Sequence, residues 1–293
     1  MTYRDIIDKA TDALRTAGIL NPEVDAWELF SAVFGMQRKD YLVQMLQEAE
    51  SEGREEYDRL VGIRKTRKPL QHILGHTGFM GLDFYVNEHV LCPRQDTEIL
   101  VEEALRYLGP RMSVLDLCTG SGCVLISLLH YGKEIEGMGA DLSEEALKVA
   151  AENARRNYVH PVWKQGDLFE AVGDARFDII VSNPPYIPTD VISGLMPEVR
   201  DHEPLMALDG GVDGLDYYRR IIKEAPYHIK NEGWLLFEIG VDDKIAVESM
   251  LSAQGFSDIH CVKDYADNDR VVAGQYCGAQ LAGGEDAKHG TIR

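Results

Sequence analysis

Residues 114–123 read Val-Leu-Asp-Leu-Cys-Thr-Gly-Ser-Gly-Cys, and this stretch decides the fold. The stretch begins within the mostly apolar run Ser113–Leu117, which is typical of a short buried strand. Small residues follow, and the largely apolar sequence Gly122–Tyr131 then has the length of a helix. Such a loop lets a ligand approach the backbone closely, and the helix start offers unpaired N–H groups. The stretch therefore predicts a strand, a ligand-binding loop and a helix.

The same alternation of strands and helices continues along the chain. Further strands are expected at Glu136–Ala140, Val162–Gln165, Phe177–Ser182, Gly233–Ile239, Asp258–Lys263 and Asp269–Gln275. Further helices are expected at Ser143–Asn157, Leu215–Ala225 and Lys244–Gln254. This order predicts an α/β domain with a mostly parallel, Rossmann-like sheet of seven strands, covered by helices on both faces. The last two strands are expected to pair as a C-terminal antiparallel hairpin.

The first 75 residues predict a different unit, a small N-terminal helical bundle. Helices are expected at Tyr3–Ala17, from Asn21-Pro22 to Gly35, at Lys39–Ser51 and at Arg54–Lys65. Leu70–Gly75 and Phe79–Val86 look like short strands joined by a glycine-containing turn. We therefore divide the chain into a bundle (1–75), a β-hairpin linker (76–95), the α/β domain (96–276) and a flexible tail (277–293).

The composition is ordinary for a globular chain, apart from a strong acidic bias. Apolar residues make up 45% and charged residues 27% of the 293 residues. The sequence shows no apolar run of about 18 residues, no apolar signal core and no C-x-x-C spacing among its five cysteines. We therefore expect a cytoplasmic monomer without a metal site, a disulfide framework or a membrane partner. The net charge of −19 argues against a nucleic-acid partner, because it repels phosphate backbones.

Asp141 ends the second strand of the α/β domain, 19 residues after Gly122. An acidic residue there can accept hydrogen bonds from ribose hydroxyls. A dinucleotide fingerprint would need Gly or Ala where this chain has Leu125. The arrangement Asp-x-Cys-x-Gly-x-Gly at 116–122 looks more like the first motif of S-adenosylmethionine (SAM)-dependent methyltransferases, with Cys118 where glycine is usual. This resemblance implies a class I SAM-dependent methyltransferase domain.

The resemblance implies that SAM is contacted by the ends of several strands. The expected contacts are Asp116, Cys118, Thr119, Gly120, Ser121, Gly122, Asp141, Leu142, Asp167, Leu168 and Asn183. Asp116 is expected to orient the loop through backbone N–H groups, and Asp167 to reach the adenine amino group with Leu168 beside the ring. Two alternatives stay open, namely Cys118 as a nucleophile and Asp167 as a solvated loop residue.

The fourth strand ends in Asn183-Pro184-Pro185-Tyr186, which combines an amide, two prolines and an aromatic ring. The Asn183 side-chain oxygen and the Pro184 carbonyl can accept the two hydrogen bonds that a planar NH2 group donates. They would favour a methyl-transfer transition state in which that nitrogen becomes positive. The prolines stiffen the loop, and Tyr186 offers a flat face. We therefore predict Asn183, Pro184 and Tyr186 as catalytic residues, and all four residues as substrate contacts.

The four-residue motif alone leaves three acceptors open, which are adenine N6 in DNA, guanine N2 in ribosomal RNA and glutamine N5 in protein. Flanking segments narrow the choice, because nearly the whole chain resembles the PrmC/HemK family of peptide chain release factor glutamine methyltransferases. The segments that carry this resemblance are Pro69–Gly75, Phe79–Leu82, Val90–Glu98, Val199–Pro204, Ala207–Gly211, Asp213–Ile221, Phe237–Gly240 and Asp269–Val272. Departures from the family pattern are Cys118, Gln95-Asp96 where Pro-Glu is usual, and Leu168 where some members carry an aromatic residue.

The family resemblance implies methylation of the glutamine in the Gly-Gly-Gln loop of class I release factors, with S-adenosylhomocysteine as the second product. It also implies that the helical bundle contacts the release factor, while the loop enters beside Asn183–Tyr186. Arg94 is expected either to shape the SAM or substrate cleft or to form a surface salt bridge. The competing hypotheses are a nucleic-acid amino-methyltransferase and a non-catalytic SAM-binding protein.

Overall fold

The computed structural model describes residues 1–278, and its N-terminal part is a small helical bundle. The helices are α1 (Tyr3–Thr16), α2 (Pro22–Phe34), α3 (Arg38–Gln44), α4 (Ser51–Arg64) and α5 (Leu70–Leu74). Their apolar faces meet in one cluster that includes Leu14, Phe30 and Tyr57, all fully buried. Removal of these side chains from water is the main force that holds the bundle together.

The ends of the first two helices follow from local sequence. The Thr2 hydroxyl accepts from the Asp5 N–H at 3.2 Å, and the Asp5 carboxylate accepts from the Thr2 N–H at 2.9 Å, so α1 begins at a capping box. Helix α2 ends at Gly35, whose φ of +63° is the left-handed conformation that glycine tolerates best. Asn21 occupies the N-cap position of α2 as expected, although its side chain makes no capping hydrogen bond.

Helix α5 occupies the segment for which the sequence predicted a strand, and that prediction is wrong. Leu70, Ile73 and Leu74 are spaced as on one face of a helix, and all three pack against the bundle core. Gly75 then ends the helix with a φ of +76°. The helix predicted at Lys39–Ser51 is too long, because α3 ends at Gln44 and α4 already begins at Ser51.

A β-hairpin connects the bundle to the α/β domain. Its strands, β1 (His76–Phe79) and β2 (Leu82–Tyr85), pair antiparallel around Met80-Gly81. Phe79 and Phe84 are buried edge to face, with ring centroids 5.9 Å apart, and belong to a core cluster of the α/β domain. The hairpin is therefore packed firmly onto the domain that follows it.

The α/β domain contains the remaining elements. They are α6 (Glu98–Tyr107), β3 (Ser113–Leu117), α7 (Cys123–Tyr131), β4 (Glu136–Asp141), α8 (Glu144–Arg156), β5 (Val162–Gln165), β6 (Phe177–Ser182), α9 (Pro197–Arg200), α10 (Asp216–His228), β7 (Ile229–Glu238), α11 (Lys244–Ala253), β8 (Phe256–Lys263) and β9 (Asp269–Tyr276). The sheet order is β5-β4-β3-β6-β7-β9-β8, with β9 antiparallel to β7 and to β8. The predicted fold class is confirmed, whereas α6 had no counterpart among the predicted helices.

The register of the sheet brings the ends of four strands to one edge. Leu117 pairs with Ala140 and with Ser182, and Ser182 pairs with Phe237. Because these strands are parallel, the residues that follow them all emerge at the same carboxyl edge. In open α/β sheets this edge is where ligands bind.

Helix α9 links the bundle to the α/β domain through buried ion pairs. Glu198 accepts from Arg64 Nη2 at 3.0 Å and from Arg67 Nη2 at 2.6 Å. Arg64 also donates through Nε to Asp25 Oδ2 at 2.7 Å, and the side chains of Arg64 and Asp25 are almost fully buried. Loss of one partner would leave a buried charge unpaired, so these contacts favour the packing of the bundle against α9.

The predicted domain boundaries and the predicted flexible tail both stay predictions. The division of the chain at residues 75 and 95 is not tested by the element boundaries. The tail predicted at 277–293 lies, apart from its first two residues, outside the described residues. Within residues 1–278, no helix combines the length and apolar character needed to cross a membrane.

Candidate active site

A buried carboxylate, that of Asp116, holds the loop after β3 in its conformation. Asp116 is 2% exposed, and its Oδ2 accepts from the Thr119 hydroxyl at 2.6 Å. Burial raises the pKa of Asp116 to about 7, although the Thr119 hydroxyl and the Leu125 N–H both favour its charged form. Asp116 therefore shapes the loop in part through the side chain of Thr119, a partner that the sequence did not identify.

The two glycines of this loop have different physical roles. An added Cβ at Gly120 would meet no heavy atom within 4 Å, so the backbone there faces open space that a ligand can enter. Gly122 has a φ of +78°, and a Cβ there would lie 2.9 Å from Trp163 Cη2 and 3.0 Å from Ile126 Cδ1. Gly122 thus allows both the turn into α7 and the close packing of that helix on the sheet.

Replacing Gly122 by alanine is expected to destabilise the protein by about 2 kcal/mol more than the same change at Gly173. Gly173 also has a positive φ, of +58°, but a Cβ there would meet nothing within 4 Å. The difference between the two variants therefore isolates the steric overlap from the backbone strain. Urea unfolding of both variants measures it, and equal losses would show that the packing around Gly122 adjusts freely.

Cys118 follows β3 with a φ of +59°, a left-handed conformation that is uncommon outside glycine. Burial, with the nearby charges of Asp141 and Asp116, raises the pKa of its thiol. A thiol with a raised pKa is a poor nucleophile at neutral pH, because the thiolate is the reactive form. The structure therefore gives no support to Cys118 as a nucleophile and places it as a wall of the cleft.

Asp141 bridges two loops at the end of β4. Its Oδ2 accepts from the Gly120 N–H and its Oδ1 from the Ser143 N–H, both at 2.8 Å. Burial raises the pKa of this carboxyl group, whereas hydrogen bonds from the N–H groups of Ser143, Gly120 and Leu142 favour its charged form. A carboxylate has about four acceptor positions, so these three donors leave capacity for a ligand hydroxyl. The neighbouring Leu142 is 52% exposed and lines the same cleft.

Asp167 and Leu168 follow β5 and also line the cleft. Asp167 is half-exposed, and its Oδ2 accepts a hydrogen bond at 2.7 Å from Nη2 of Arg220, which lies on α10. Leu168 is buried, with a φ of +51° that turns the chain at this point. Tyr217, also on α10, lines the cleft beside them. Neither Arg220 nor Tyr217 was predicted, because nothing in the sequence near β5 indicates which helix packs there.

The Asn183–Tyr186 segment leaves β6 with its two ends held by hydrogen bonds. Asn183 Nδ2 donates to Thr97 Oγ1 at 3.3 Å, and Tyr186 Oη donates to Glu238 Oε1 at 3.2 Å. Asn183 and Pro185 line the cleft, whereas Pro184 is buried and Tyr186 packs partly against the core. The contributions of Pro184 and Tyr186 to catalysis stay predictions.

Arg94 lines the cavity and forms a salt bridge with a buried glutamate, so its contribution to a SAM or substrate cleft stays a prediction. Its Nη2 donates to both carboxylate oxygens of Glu203 at 2.8 Å. Glu203 is 7% exposed and also accepts from the Cys92 N–H at 3.3 Å. Burial raises the pKa of Glu203, and the Arg94 guanidinium opposes that rise. This pair ties the segment before α6 to the segment after α9 across the cleft.

A single cavity connects the residues just described. Of the predicted site residues, only Gly122, Pro184 and Tyr186 do not line it. Those on the cavity wall are Arg94, Asp116, Cys118, Thr119, Gly120, Ser121, Asp141, Leu142, Asp167, Leu168, Asn183 and Pro185. Thr97, Met206 and Tyr217 also line it but were not predicted. Asn183 thus lies in the same cavity as the glycine loop and the acids that follow β4 and β5.

The sheet order, the small-residue loop after β3 and the acids after β4 and β5 together define a class I methyltransferase. The chain is 42% identical over 274 residues to the release factor glutamine methyltransferase of Geobacter sulfurreducens, covering 94% of this chain and 96% of the relative. The relative of the same name from Caulobacter vibrioides is 40% identical, covering 90% and 93%. This chain belongs to the release factor glutamine methyltransferase family, and the resemblance inferred from its sequence is confirmed.

Two further comparisons agree with this assignment. Residues 5–75 match the family model of the PrmC N-terminal domain, and residues 95–193 match that of the methyltransferase small domain. A solved methyltransferase from Pyrococcus furiosus superposes with a TM-score of 0.52 at 17% identity, covering 69% of this chain and 91% of that protein. At this identity the superposition supports the fold alone.

Proposed function

We propose that this protein transfers a methyl group from SAM to the side-chain amide nitrogen of the glutamine in the Gly-Gly-Gln loop of class I release factors. Family membership over 94% of the chain supports this reaction. The observation that carries it is the position of Asn183, whose amide is oriented by Thr97 in the cavity that also contains the glycine loop. The nucleic-acid alternative has no comparable support, because the chain carries a net charge of −19.

The residues present in the cavity fit SAM as the methyl donor. The open space in front of Gly120 admits a ligand, and Asp141 has free lone pairs for ribose hydroxyls. Leu142 and Leu168 offer apolar surface for an adenine ring, with Asp167 close to them in sequence and in the cavity. When bound, SAM supplies a methyl group on a positively charged sulfur.

The catalytic contribution of the chain is to orient a weak nucleophile. The lone pair of an amide nitrogen is delocalised, so that nitrogen attacks only when it is held in line. We propose that Asn183 Oδ1 and the Pro184 carbonyl accept the two hydrogen bonds of the substrate NH2 group, and that the pair of prolines keeps both acceptors fixed before substrate binds. The same acceptors stabilise the positive charge that develops on the nitrogen. A strong base is not required before attack, because the N–H bonds become acidic only after methylation.

The helical bundle is proposed to contact the release factor outside the loop. The ion pairs of Glu198 with Arg64 and Arg67 hold the bundle against the segment that continues to Glu203 at the cavity. A partner bound to the bundle would therefore have a fixed relation to the cleft. We expect the enzyme to act as a cytoplasmic monomer.

Incubation of the protein with tritiated SAM and a release factor tests the proposed reaction. We expect the label in the peptide that contains the Gly-Gly-Gln loop, and mass spectrometry should place one methyl group on its glutamine. A release factor with alanine in place of that glutamine is the matched control and should remain unlabelled. Label found only in added RNA or DNA would overturn the proposal.

A further inference from the structure

Thr97 is the last residue of a short 3-10 turn, Gln95–Thr97, that leads directly into α6. Its φ of −67° and ψ of −19° are helical, so it does not have the extended conformation of a capping residue, and its hydroxyl makes no capping hydrogen bond to that helix. Here the side chain is turned inward, is 3% exposed, and accepts from Asn183 Nδ2 at 3.3 Å. The hydroxyl therefore serves the Asn183–Tyr186 segment and not the helix.

Glu238 lies behind the same segment. It ends β7 directly beside β6, since Ser182 pairs with Phe237, so Asn183 and Glu238 leave neighbouring strands at the same edge. Its side chain is 2% exposed, and Oε1 accepts from Tyr186 Oη at 3.2 Å. Among residues 1–278, its Oε2 has no hydrogen-bond partner. A buried carboxylate oxygen without a donor is costly, so a nearby donor is expected to turn toward it.

Burial raises the pKa of Glu238, whereas the Thr97 hydroxyl, the Arg270 guanidinium and the Tyr186 hydroxyl each favour its charged form. Arg270 itself directs its hydrogen bonds to Asp264 and to the Ile239 carbonyl. The hydroxyl hydrogen of Thr97 is therefore the donor available to the free carboxylate oxygen.

We propose that Glu238 and Thr97 form a hydrogen-bond relay that sets the orientation of the Asn183 amide. A hydroxyl has one hydrogen, and a carboxylate can only accept. When Thr97 donates to Glu238, its oxygen is left to accept, and Asn183 must turn its NH2 group toward it. The amide oxygen then faces the cavity, where it can accept a substrate N–H. The reversed amide would present its own NH2 group to the substrate NH2 group.

Glu238 also binds Tyr186, so one buried carboxylate fixes both ends of the Asn183–Tyr186 segment. Thr97 and Glu238 are positioning residues, because they act on the substrate through Asn183. The consequence for turnover rests on the proposed function, whereas the orientation of the amide does not. These two parts can therefore be tested separately.

Turnover of Thr97 variants tests the relay in the assay with release factor. Thr97→Val keeps the shape but removes the hydroxyl, and kcat is expected to fall about tenfold, while KM and SAM affinity change less than about twofold. Thr97→Ser keeps the hydroxyl and should restore most of kcat. Glu238→Gln should resemble Thr97→Val, because an amide NH2 can donate to Thr97 and reverse the relay. Thr11→Val, at a buried threonine of α1, is the matched control.

A nuclear magnetic resonance measurement tests the amide without any substrate. The side-chain NH2 signals of Asn183, assigned by their loss in Asn183→Ala, should shift in Thr97→Val and Glu238→Gln but not in Thr97→Ser or Thr11→Val. Equal kcat for Thr97→Val and the wild type, or equal damage by Val and Ser, would overturn the relay. Expected spectral shifts together with an inactive wild type would instead count against the proposed function alone.

Discussion

Asn183→Ala is expected to lower turnover by about 10²-fold or more while leaving SAM affinity within about twofold of the wild type. In the proposed mechanism the side chain supplies one of the two acceptors for the substrate NH2 group, and that contact strengthens as the nitrogen becomes positive. Its amide touches Thr97 and not the glycine loop, so cofactor binding has little reason to change. Single-turnover methylation of the release factor and titration with SAM measure the two quantities.

Asn157→Ala is the matched control for this substitution. The Asn157 amide also donates hydrogen bonds, to the carbonyls of Asp83 and Asn153 at 3.0 Å, but it lies at the end of α8, away from the cavity. The Asn157→Ala variant should therefore methylate the release factor at the wild-type rate. A wild-type rate for Asn183→Ala, or a loss caused entirely by weaker SAM binding, would contradict the acceptor role of Asn183.

The central strands could be predicted from sequence because burial on both faces leaves an unambiguous pattern. The ranges of β3 and β6 agree with the predicted strands Ser113–Leu117 and Phe177–Ser182, and the more exposed edge strand β5 agrees with Val162–Gln165. In β3 and β6, Leu115, Leu117 and Ile180 are fully buried, which is why both strands are mostly apolar apart from Asp116 and Asp178.

The errors arise where tertiary packing decides between local alternatives. The helical spacing of Leu70, Ile73 and Leu74 covers little more than one turn, which is too short to distinguish a helix from a strand by sequence, and the helical form depends on contact with the bundle core. Helix α6 continues directly from the short 3-10 turn Gln95–Thr97, and Arg94 before that turn makes no side-chain capping hydrogen bond, so no capping residue marks the beginning of the helix. The secondary structure of both segments is therefore evident only from the residues that pack against them.

The same distinction applies to the site. The loop, Asp141, Asp167 and Asn183 each follow a strand, and parallel strands bring such residues to one edge, so their meeting could be predicted. Two hydrogen-bond partners come from distant segments. Thr97 is 86 positions from Asn183, and Arg220 is 53 positions from Asp167. The sequence does not specify how these segments pack against the strand ends. The strand-end residues that line the cavity were therefore predictable, and their hydrogen-bond partners Thr97 and Arg220 were not.

Asp141→Ala is expected to weaken SAM binding by about 10²-fold, with a smaller effect on the rate at saturating SAM. The substitution removes the proposed acceptor for ribose hydroxyls and also releases the N–H groups of Gly120 and Ser143 that the carboxylate now holds. Asp141→Asn keeps an acceptor oxygen of similar shape, so its loss should be intermediate. Isothermal titration with SAM measures both affinities.

Asp178→Ala is the matched control for Asp141→Ala. Asp178 also lies in the sheet and accepts a backbone N–H, from Ser113 at 2.7 Å, but it lies at the opposite, amino edge of β3 and β6. Its removal should leave SAM affinity unchanged, because no group at that edge reaches the cavity wall formed by the described residues. Equal affinities for Asp141→Ala and the wild type would exclude Asp141 from the ribose and leave it as a bridge between two loops.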